Sequence, residues 1–283
     1  MGSNRHSIEK RKNKMRNRKK RNWHFIFGIF LVSIITCVGL IGQIGTPYDP
    51  ELMNGNAVLQ SPSFSHIFGT DQFGRDVFSR VAKGIGITCY ISGIATVIGC
   101  FLGVVFGGIA GYFGGILDKI LMKLNDILVA FPTILVALIF ITLFGAGTKS
   151  LIFSLIIAFT TSFARITRSE VLEQKEKDYV KCGILMGVSP LRMLFVHIFP
   201  NIYTTILSFF FIECNRAVLA EASMSYLGLG VQPPKASLGR MIAEAQIYVF
   251  QAPWIPFFAG LFLVLLSLCP FYFSEGVKNE VGN

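Results

Sequence analysis

Charged residues are scarce in this sequence of 283 residues. Asp, Glu, Lys and Arg make up 15% of it, against 52% hydrophobic residues, and its mean hydropathy is +0.58. A chain with so few charges has too little polar surface to coat a soluble globule. The composition therefore excludes an ordinary soluble domain and predicts an integral membrane protein.

Excess positive charge is also absent from most of the chain, although the formal net charge is +10. Residues 1–24 carry ten Lys or Arg residues and a single acid, Glu9, so almost all of the excess lies there. The nearly neutral remainder excludes a basic face for nucleic acid, which is not expected as a partner. Residues 1–24 are predicted to be a basic cytoplasmic tail, disordered or lying on anionic membrane lipid.

Motifs for metal binding and catalysis are missing as well. The six cysteines form no CxxC pair, the four histidines are dispersed, and neither HExxH nor GxSxG occurs. The segment 145–150 resembles a phosphate-binding loop, but Thr148 stands where that motif needs glycine. We therefore expect no catalytic residue, no metal site and no cofactor in this chain. If ATP drives its activity, another chain must bind the ATP and its magnesium.

Six apolar segments are present that match, fully or nearly, the length of a membrane-spanning helix. About 20 apolar residues are needed to cross roughly 30 Å of hydrocarbon. The predicted spans are Phe25–Gly42, Ile87–Tyr112, Ile127–Phe144, Leu151–Ile166, Ile202–Ala220 and Pro256–Phe273. The first follows a basic stretch as a signal peptide does, but it lacks a small-residue cleavage site, so residues 25–44 are predicted to be an uncleaved anchor.

The distribution of Lys and Arg between the spans predicts the orientation. These residues are concentrated in the tail and in the loops after the second and fourth spans, and they favour the cytoplasmic side. Both termini are therefore predicted to be cytoplasmic, including residues 275–283. Residues 45–86 and the loop 221–253 are then external, and the loop 168–200 is cytoplasmic. Residues 87–274 are predicted to form one membrane domain.

Small and ionisable residues stand out within the predicted spans. Glycines recur every fourth residue from Gly99 to Gly115, which gives a smooth helix face for close packing against a neighbour. Asp126, Glu213 and Arg216 are ionisable residues near the bilayer interior, where burial is costly. Because Glu213 and Arg216 are three residues apart, they are able to pair on one helix face. The set forms either a structural ion pair or part of a polar translocation path.

The loop 168–200 contains the most specific local pattern. A helix is predicted to end at Met186 with Gly187 as its C-cap, and Ser189 and Pro190 fit the N-cap and first position of a second short helix, Pro190 to Phe199. Its apolar face would consist of Leu191, Leu194, Phe195 and Ile198. Two short helices with exposed apolar side chains suit a knob for docking a cytoplasmic partner. An amphipathic loop lying at the membrane surface is the alternative.

Four stretches together resemble a known family. The loop resembles the "EAA loop" of ATP-binding-cassette (ABC) importer permeases through Tyr179, Val180, Gly183, Gly187, Pro190, Arg192, His197, Pro200 and Asn201. The other stretches are Gly69–Arg80, Asp126 through Pro132, and Glu221–Pro234. Together they are similar to the C-type permease of dipeptide, oligopeptide and nickel importers, and the resemblance covers about Tyr48 to Gly276.

The resemblance implies a type I importer fold, all-α, with six transmembrane helices and a cytoplasmic coupling helix. It implies a second, B-type permease, two cytoplasmic ABC ATPases that bind ATP and magnesium, and an extracellular substrate-binding protein, all in the cell membrane of a bacterium. The implied ATPase-coupling residues are Tyr179, Val180, Cys182, Gly183, Gly187, Pro190, Leu191, Arg192, Leu194, His197 and Pro200. Cys182-Gly183 stands where the family usually has two alanines, which predicts a looser knob because glycine lowers helix propensity.

The resemblance therefore predicts a permease subunit with no enzymatic activity, carrying peptides, nickel or metal chelates. A stand-alone secondary transporter or channel is the alternative, although it would require an intramembrane ion site.

Overall fold

The computed structural model describes residue 28 and residues 30–281, with side chains as far as Ser274. Within these residues the regular structure is helical, apart from one isolated antiparallel bridge between Thr70 and Asp76. The predicted basic tail, residues 1–24, lies outside the described residues. An all-helical fold agrees with the apolar runs in the sequence, because a helix satisfies its own backbone hydrogen bonds within a membrane.

The helices follow one another with short connections, except for one long segment before the second helix. They are α1 (Phe30–Ile44), α2 (Val77–Phe113), α3 (Gly115–Ala130), α4 (Thr133–Phe144), α5 (Thr148–Lys175), α6 (Asp178–Leu185), α7 (Pro190–Arg192), α8 (Phe199–Tyr226), α9 (Leu238–Ala245) and α10 (Trp254–Val281). A π-helical turn, Met193–Ile198, joins α7 to α8, so that Pro190–Tyr226 is one continuous helix of 37 residues.

Among the described residues, four helices have the length and apolarity needed to cross a membrane. They are α2, α5, the helix Pro190–Tyr226, and the Trp254–Ser274 part of α10. The count becomes five if α3 and α4 together form one span, and α1 is a shorter apolar helix. The all-α membrane fold is confirmed, whereas the number of six spans remains a prediction.

The third predicted span, Ile127–Phe144, is wrong as a single straight helix. α3 ends at Ala130, Pro132 precedes the first residue of α4, and the two axes differ in direction by 89°. Proline has no N–H to donate and disfavours the helical conformation in the residue before it, which here is Phe131. The apolar run therefore contains a break, and α4, with 12 residues, is only about 18 Å long.

Helix α2 begins well before the predicted span Ile87–Tyr112. Its N-cap is Asp76, whose Oδ2 accepts hydrogen bonds from the backbone N–H and the hydroxyl of Ser79 at 2.8 and 2.7 Å. Hydropathy gave no signal here because Arg80 and Lys83 lie in this first part of the helix. A capped polar turn thus extends the span on its predicted external side.

The glycine face of α2 packs against α5, as the four-residue spacing predicted. A Cβ atom added at Gly99 would lie 2.7 Å from the Cβ of Phe159, and one added at Gly111 would lie 2.9 Å from the carbonyl oxygen of Arg168. Gly115 does not belong to this face, because α2 ends at Phe113 and Gly115 starts α3 with a φ of +63°. The stripe therefore joins two helices of the same chain.

Three apolar clusters hold the helices together. One joins α1, the start of α2, α9 and α10; its buried members include Leu31, Val81 and Ala259. A second lies between α2, α5 and α8, and the third, near the loop 168–200, is described with the site below. The described part of the chain is thus one packed bundle, with the loop 168–200 attached by a core of its own.

Candidate functional site

The predicted cytoplasmic loop stands on a base fixed by polar contacts. Lys175, the last residue of α5, donates from Nζ to the Tyr112 carbonyl oxygen at 2.8 Å. Arg168 makes a two-pronged ion pair with Asp118 of α3, with N–O distances of 2.6 and 2.7 Å. These bonds tie α5 to the ends of α2 and α3, so the loop begins from a rigid platform.

Helix α6 ends at Gly187 through two backbone hydrogen bonds. The N–H of Val188 donates to the Gly183 carbonyl at 3.1 Å, and the N–H of Gly187 donates to the Ile184 carbonyl at 3.0 Å. This pair of bonds is the Schellman arrangement, in which the residue after the cap adopts a left-handed conformation. Gly187 has a φ of +79°, so the predicted glycine stop is confirmed.

The predicted second short helix, Pro190 to Phe199, is wrong in its C-terminal boundary. Ser189 is the N-cap and Pro190 the first helical residue, although the Ser189 side chain makes no capping hydrogen bond. The helix then continues through the π turn into α8 instead of ending at Phe199. Pro200 lies inside this continuous helix, directly after the π turn Met193–Ile198, so the regular α-helical bonding is already interrupted where the proline lacks an N–H.

The predicted exposed face of Leu191, Leu194, Phe195 and Ile198 is wrong in part. Leu194 and Ile198 are completely buried, together with Val171, Val180, Met193 and Ile202 in the third apolar cluster. The physical reason is that α6 folds back beside the start of Pro190–Tyr226, so this face closes the core of the loop. Leu191 and Phe195 remain exposed.

The exposed apolar tip of the loop consists of other residues. Ile184, Leu185 and Met186 at the end of α6, with Leu191 at the start of the next helix, are exposed on either side of Gly187, and the exposed fraction of Leu185 is 87%. Sequence periodicity missed the first three because they close a helix whose buried face carries Val180 and Gly183. We call Ile184, Leu185, Met186 and Leu191 the coupling tip.

The remaining predicted coupling residues lie around this tip in different environments. Tyr179 donates its hydroxyl to Oε1 of Gln174 at 2.9 Å, and the His197 carbonyl accepts a hydrogen bond from Asn201 at 2.6 Å. Cys182, Pro190, Arg192 and Pro200 are exposed, and Val180 is buried. Gly183 is buried, and a Cβ there would collide with the methyl group of Met193. The glycine therefore makes room for a core side chain.

The three ionisable residues predicted within the membrane do not form one cluster of contacts. Arg216 donates from Nη1 to Oε1 of Glu213 at 2.7 Å, as their spacing predicted. Asp126 pairs instead with Arg165 of α5 at 3.2 Å, and both of these side chains are largely exposed. The three predicted residues therefore belong to two separate ion pairs.

A buried ionic cluster lies on the predicted external side, where the sequence indicated only one of the stretches that carry the resemblance, Gly69–Arg80. Oδ2 of Asp71 contacts Nε of Arg75 at 2.6 Å and Nε of Arg80 at 3.4 Å, and Glu244 of α9 contacts both arginines at 3.2 and 3.1 Å. Arg240 adds a further contact to Glu244 at 3.1 Å. The cluster joins the start of α2 to α9. The sequence indicated only the members within residues 71–80 and not those of α9.

Groups of three or more His, Cys, Asp or Glu residues suited to a metal ion do not occur in the described part of the chain. Side chains suited to holding a nucleotide were not found at the coupling tip, which is apolar.

Comparison with known proteins places this geometry in a family. The family described as "binding-protein-dependent transport system inner membrane component" matches residues 103–277. The dipeptide transport system permease protein of Haemophilus influenzae is 28% identical, covering 93% of this chain and 91% of that protein. The oligopeptide transport system permease protein of Bacillus subtilis is 33% identical, covering 90% and 83%. The glutathione transport system permease protein of Pectobacterium atrosepticum is 32% identical, covering 90% and 84%.

A solved structure shares the fold. One chain of the inward-facing MetNI methionine ABC transporter superposes with a TM-score of 0.56 at 14% identity, covering 70% of this chain and 95% of that one. The chain therefore belongs to the family of binding-protein-dependent transport system inner membrane components, and it is a multi-pass membrane protein with the type I importer fold. The resemblance drawn from its motifs is confirmed.

Proposed function

We propose that this chain is the permease subunit of an ATP-driven ABC importer of peptides, and that it forms the translocation path together with a second, B-type permease. The relatives named above are permeases for dipeptides, oligopeptides and glutathione, which favours peptides over nickel or metal chelates as the cargo. The chain itself carries out no chemistry. Two cytoplasmic ATPases bind ATP and magnesium, and an extracellular binding protein delivers the substrate.

The coupling tip is the observation that carries this proposal. Its four apolar side chains are exposed, and an exposed apolar patch of this kind indicates a protein interface. Burial of Leu194 and Ile198 beneath the tip fixes it to the rest of the loop. The tip can therefore be seated in a groove of an ATPase without unfolding.

The long helix behind the tip explains how such a contact would drive transport. Pro190–Tyr226 has 37 residues and is about 55 Å long at 1.5 Å per residue. It begins beside the tip and ends on the predicted external side. When the two ATPases close on ATP, displacement of the tip would move the whole helix, which changes access to the path between the permeases.

The face for the second permease is proposed on α3. Asn125 is the only buried residue of its 16 residues, and the others include a run of exposed apolar side chains. A helix with so little cover from its own chain needs lipid or another protein subunit around it. The external loop 221–253 is proposed to face the binding protein.

The test places a charge on the tip. In the complex of both permeases and the ATPases, Leu185→Asp is expected to reduce co-purification of the ATPases about tenfold or more, because a carboxylate would have to be buried in an apolar contact. Ile247→Asp is the matched control, since Ile247 has an exposed fraction of 84% but lies in the external loop. It is expected to leave ATPase association unchanged.

Normal ATPase association of the Leu185→Asp complex would contradict the docking role of the tip. Two further measurements address the overall function. The purified chain alone is expected to hydrolyse no ATP, and the complete complex is expected to import peptide only with ATP and binding protein. Peptide transport by the chain alone in liposomes would instead favour a stand-alone transporter.

A further inference from the structure

A cavity of about 300 Å³ lies between α3, α4, α5 and α8. It is bordered by the helix break at Phe131, Pro132 and Thr133, by Thr161 and Ser162 of α5, and by Arg216 of α8. Its volume is within the range of small-molecule pockets, roughly 300–1,000 Å³. Non-helical backbone at membrane depth is tolerated where it lines a cavity or is covered by protein. The helix break is therefore compatible with a position in the wall of the translocation path.

Arg216 lies within the predicted fifth span, Ile202–Ala220, four residues before its external end. It is ten residues before Tyr226, the end of α8, and therefore about 15 Å from that end at 1.5 Å per residue. Even so, 64% of its side chain is exposed. A charged side chain at this depth faces a water-filled space or another protein group rather than lipid. The arginine thus marks the cavity as polar and accessible.

The bond to Glu213 leaves most of the guanidinium unused. Glu213 is completely buried, and its Oε1 accepts a hydrogen bond from Nη1 of Arg216. This bond holds one of the two terminal nitrogens of the guanidinium. The other N–H groups of the guanidinium have no partner in the described chain. A guanidinium is well suited to bind a carboxylate because its parallel N–H groups match the two oxygens.

Orphaned polar atoms occur on the same helices that line the cavity. Among the described side chains, the buried nitrogen or oxygen atoms without a hydrogen-bond partner belong to Asn125 of α3, Thr160 and Thr167 of α5, and Glu213 and Asn215 of α8. Buried polar groups almost always have partners. They lie on three of the four helices around the cavity, although none of the five residues lines it.

We propose that Arg216 and this cavity form a binding station for the carboxylate group of a peptide in transit. The proposal rests on the proposed function and deepens it. Every peptide with a free C-terminus carries this group regardless of its side chains. A site that binds the terminal carboxylate would therefore accept peptides of different sequence. Glu213 positions the guanidinium and offsets its charge, which keeps binding weak enough for release.

The experiment measures uptake of a peptide and of the same peptide with a C-terminal amide by the complete transport complex. The peptide is the free acid that the wild-type complex imports best from a panel of short peptides. Both forms are supplied at concentrations that saturate the binding protein. Arg216→Gln is expected to lower the ratio of acid to amide uptake about tenfold, the scale of a hydrogen bond to a charged group. Arg216→Lys is expected to retain most of the ratio.

Arg165→Gln is the matched control. Arg165, at the cytoplasmic end of the predicted fourth span, is also an exposed arginine in an ion pair, but it does not border the cavity. Its substitution is expected to leave the ratio unchanged. An unchanged ratio of acid to amide uptake in Arg216→Gln, with or without an overall loss of uptake, would overturn the proposal and leave the arginine a structural role only. The same drop of the ratio in Arg165→Gln would also overturn it.

Failure of the proposed function would look different. In that case the wild-type complex would import no peptide from the panel despite ATP and binding protein, whereas failure of the carboxylate station leaves import intact and changes only the response to Arg216.

Discussion

Gly103 shows how a single residue without a side chain positions two helices. A Cβ there would collide with the Cβ of Phe163 and would lie 2.6 Å from the Thr160 carbonyl oxygen. The sequence predicted that a smooth face exists on this helix, but it did not identify α5 as the neighbour. Nothing in the spacing of the glycines depends on the residues of the partner helix, so that information appears only in the fold.

We predict that Gly103→Ala destabilises the protein, whereas Gly93→Ala does not. Both residues are in α2, but a Cβ at Gly93 would meet no atom within 4 Å. Alanine improves helix propensity by about 1 kcal/mol at either site, and at Gly103 an overpacking cost of about 1–3 kcal/mol or more is expected to outweigh this gain. Thermal unfolding of the detergent-purified complex measures the difference. Equal melting temperatures would show that the α2–α5 contact adapts easily.

The external ionic cluster illustrates a different limit at the residue scale. Asp71, Arg75 and Arg80 are close in the sequence, with Asp71 and Arg75 in the turn before α2 and Arg80 in its first turn. Glu244, which contacts both arginines, is far away in the chain. Long-range partners of this kind carry no local pattern, so the role of Glu244 could not be predicted from its neighbours.

At the scale of elements, caps were predictable and helix continuation was not. Ser189, Pro190 and Gly187 have strong local preferences, and all three occupy the positions expected for them. The assignment of Leu194 and Ile198 to an exposed face was wrong because the spacing of apolar residues does not determine what covers them. An apolar face can contact solvent, a partner or another part of its own chain. Here the adjacent α6 covers it.

Gly187 leads to a prediction about this element. Its φ of +79° favours glycine, while a Cβ would meet no atom within 4 Å, so substitution adds backbone strain without a clash. Gly187→Val is expected to add about 1–2 kcal/mol of strain, which the surrounding core tolerates, and to change the angle between α6 and Pro190. We expect normal membrane levels and pairing with the second permease, but reduced ATPase association and peptide uptake.

Gly187→Asn is the control for this prediction, because asparagine tolerates a left-handed conformation better than valine. It is expected to retain most of the uptake. Normal uptake with valine would show that the glycine is only a helix stop, and loss of the valine variant from the membrane would assign it to folding.

At the scale of the whole molecule, composition and charge predicted the class of protein and a consistent orientation. Pro132 explains the helix break locally, whereas the cavity beside it emerged only from the assembled bundle, because it depends on how α3, α5 and α8 approach one another. The coupling tip occupies an intermediate place. The sequence located its loop correctly, but the packing of α6 decided which apolar residues are exposed.

The orientation itself remains a prediction that labelling can check. In a chain whose six native cysteines are replaced, cysteines at Ser61 and Lys235 are expected to react with a membrane-impermeant thiol reagent in intact cells, because both positions are exposed in the predicted external segments. A cysteine at Lys181 is the cytoplasmic counterpart. Lys181 is exposed near the coupling tip, so its cysteine should react only after the membrane is permeabilised. Labelling at Lys181 alone in intact cells would invert the topology and place the tip where no ATPase can reach it.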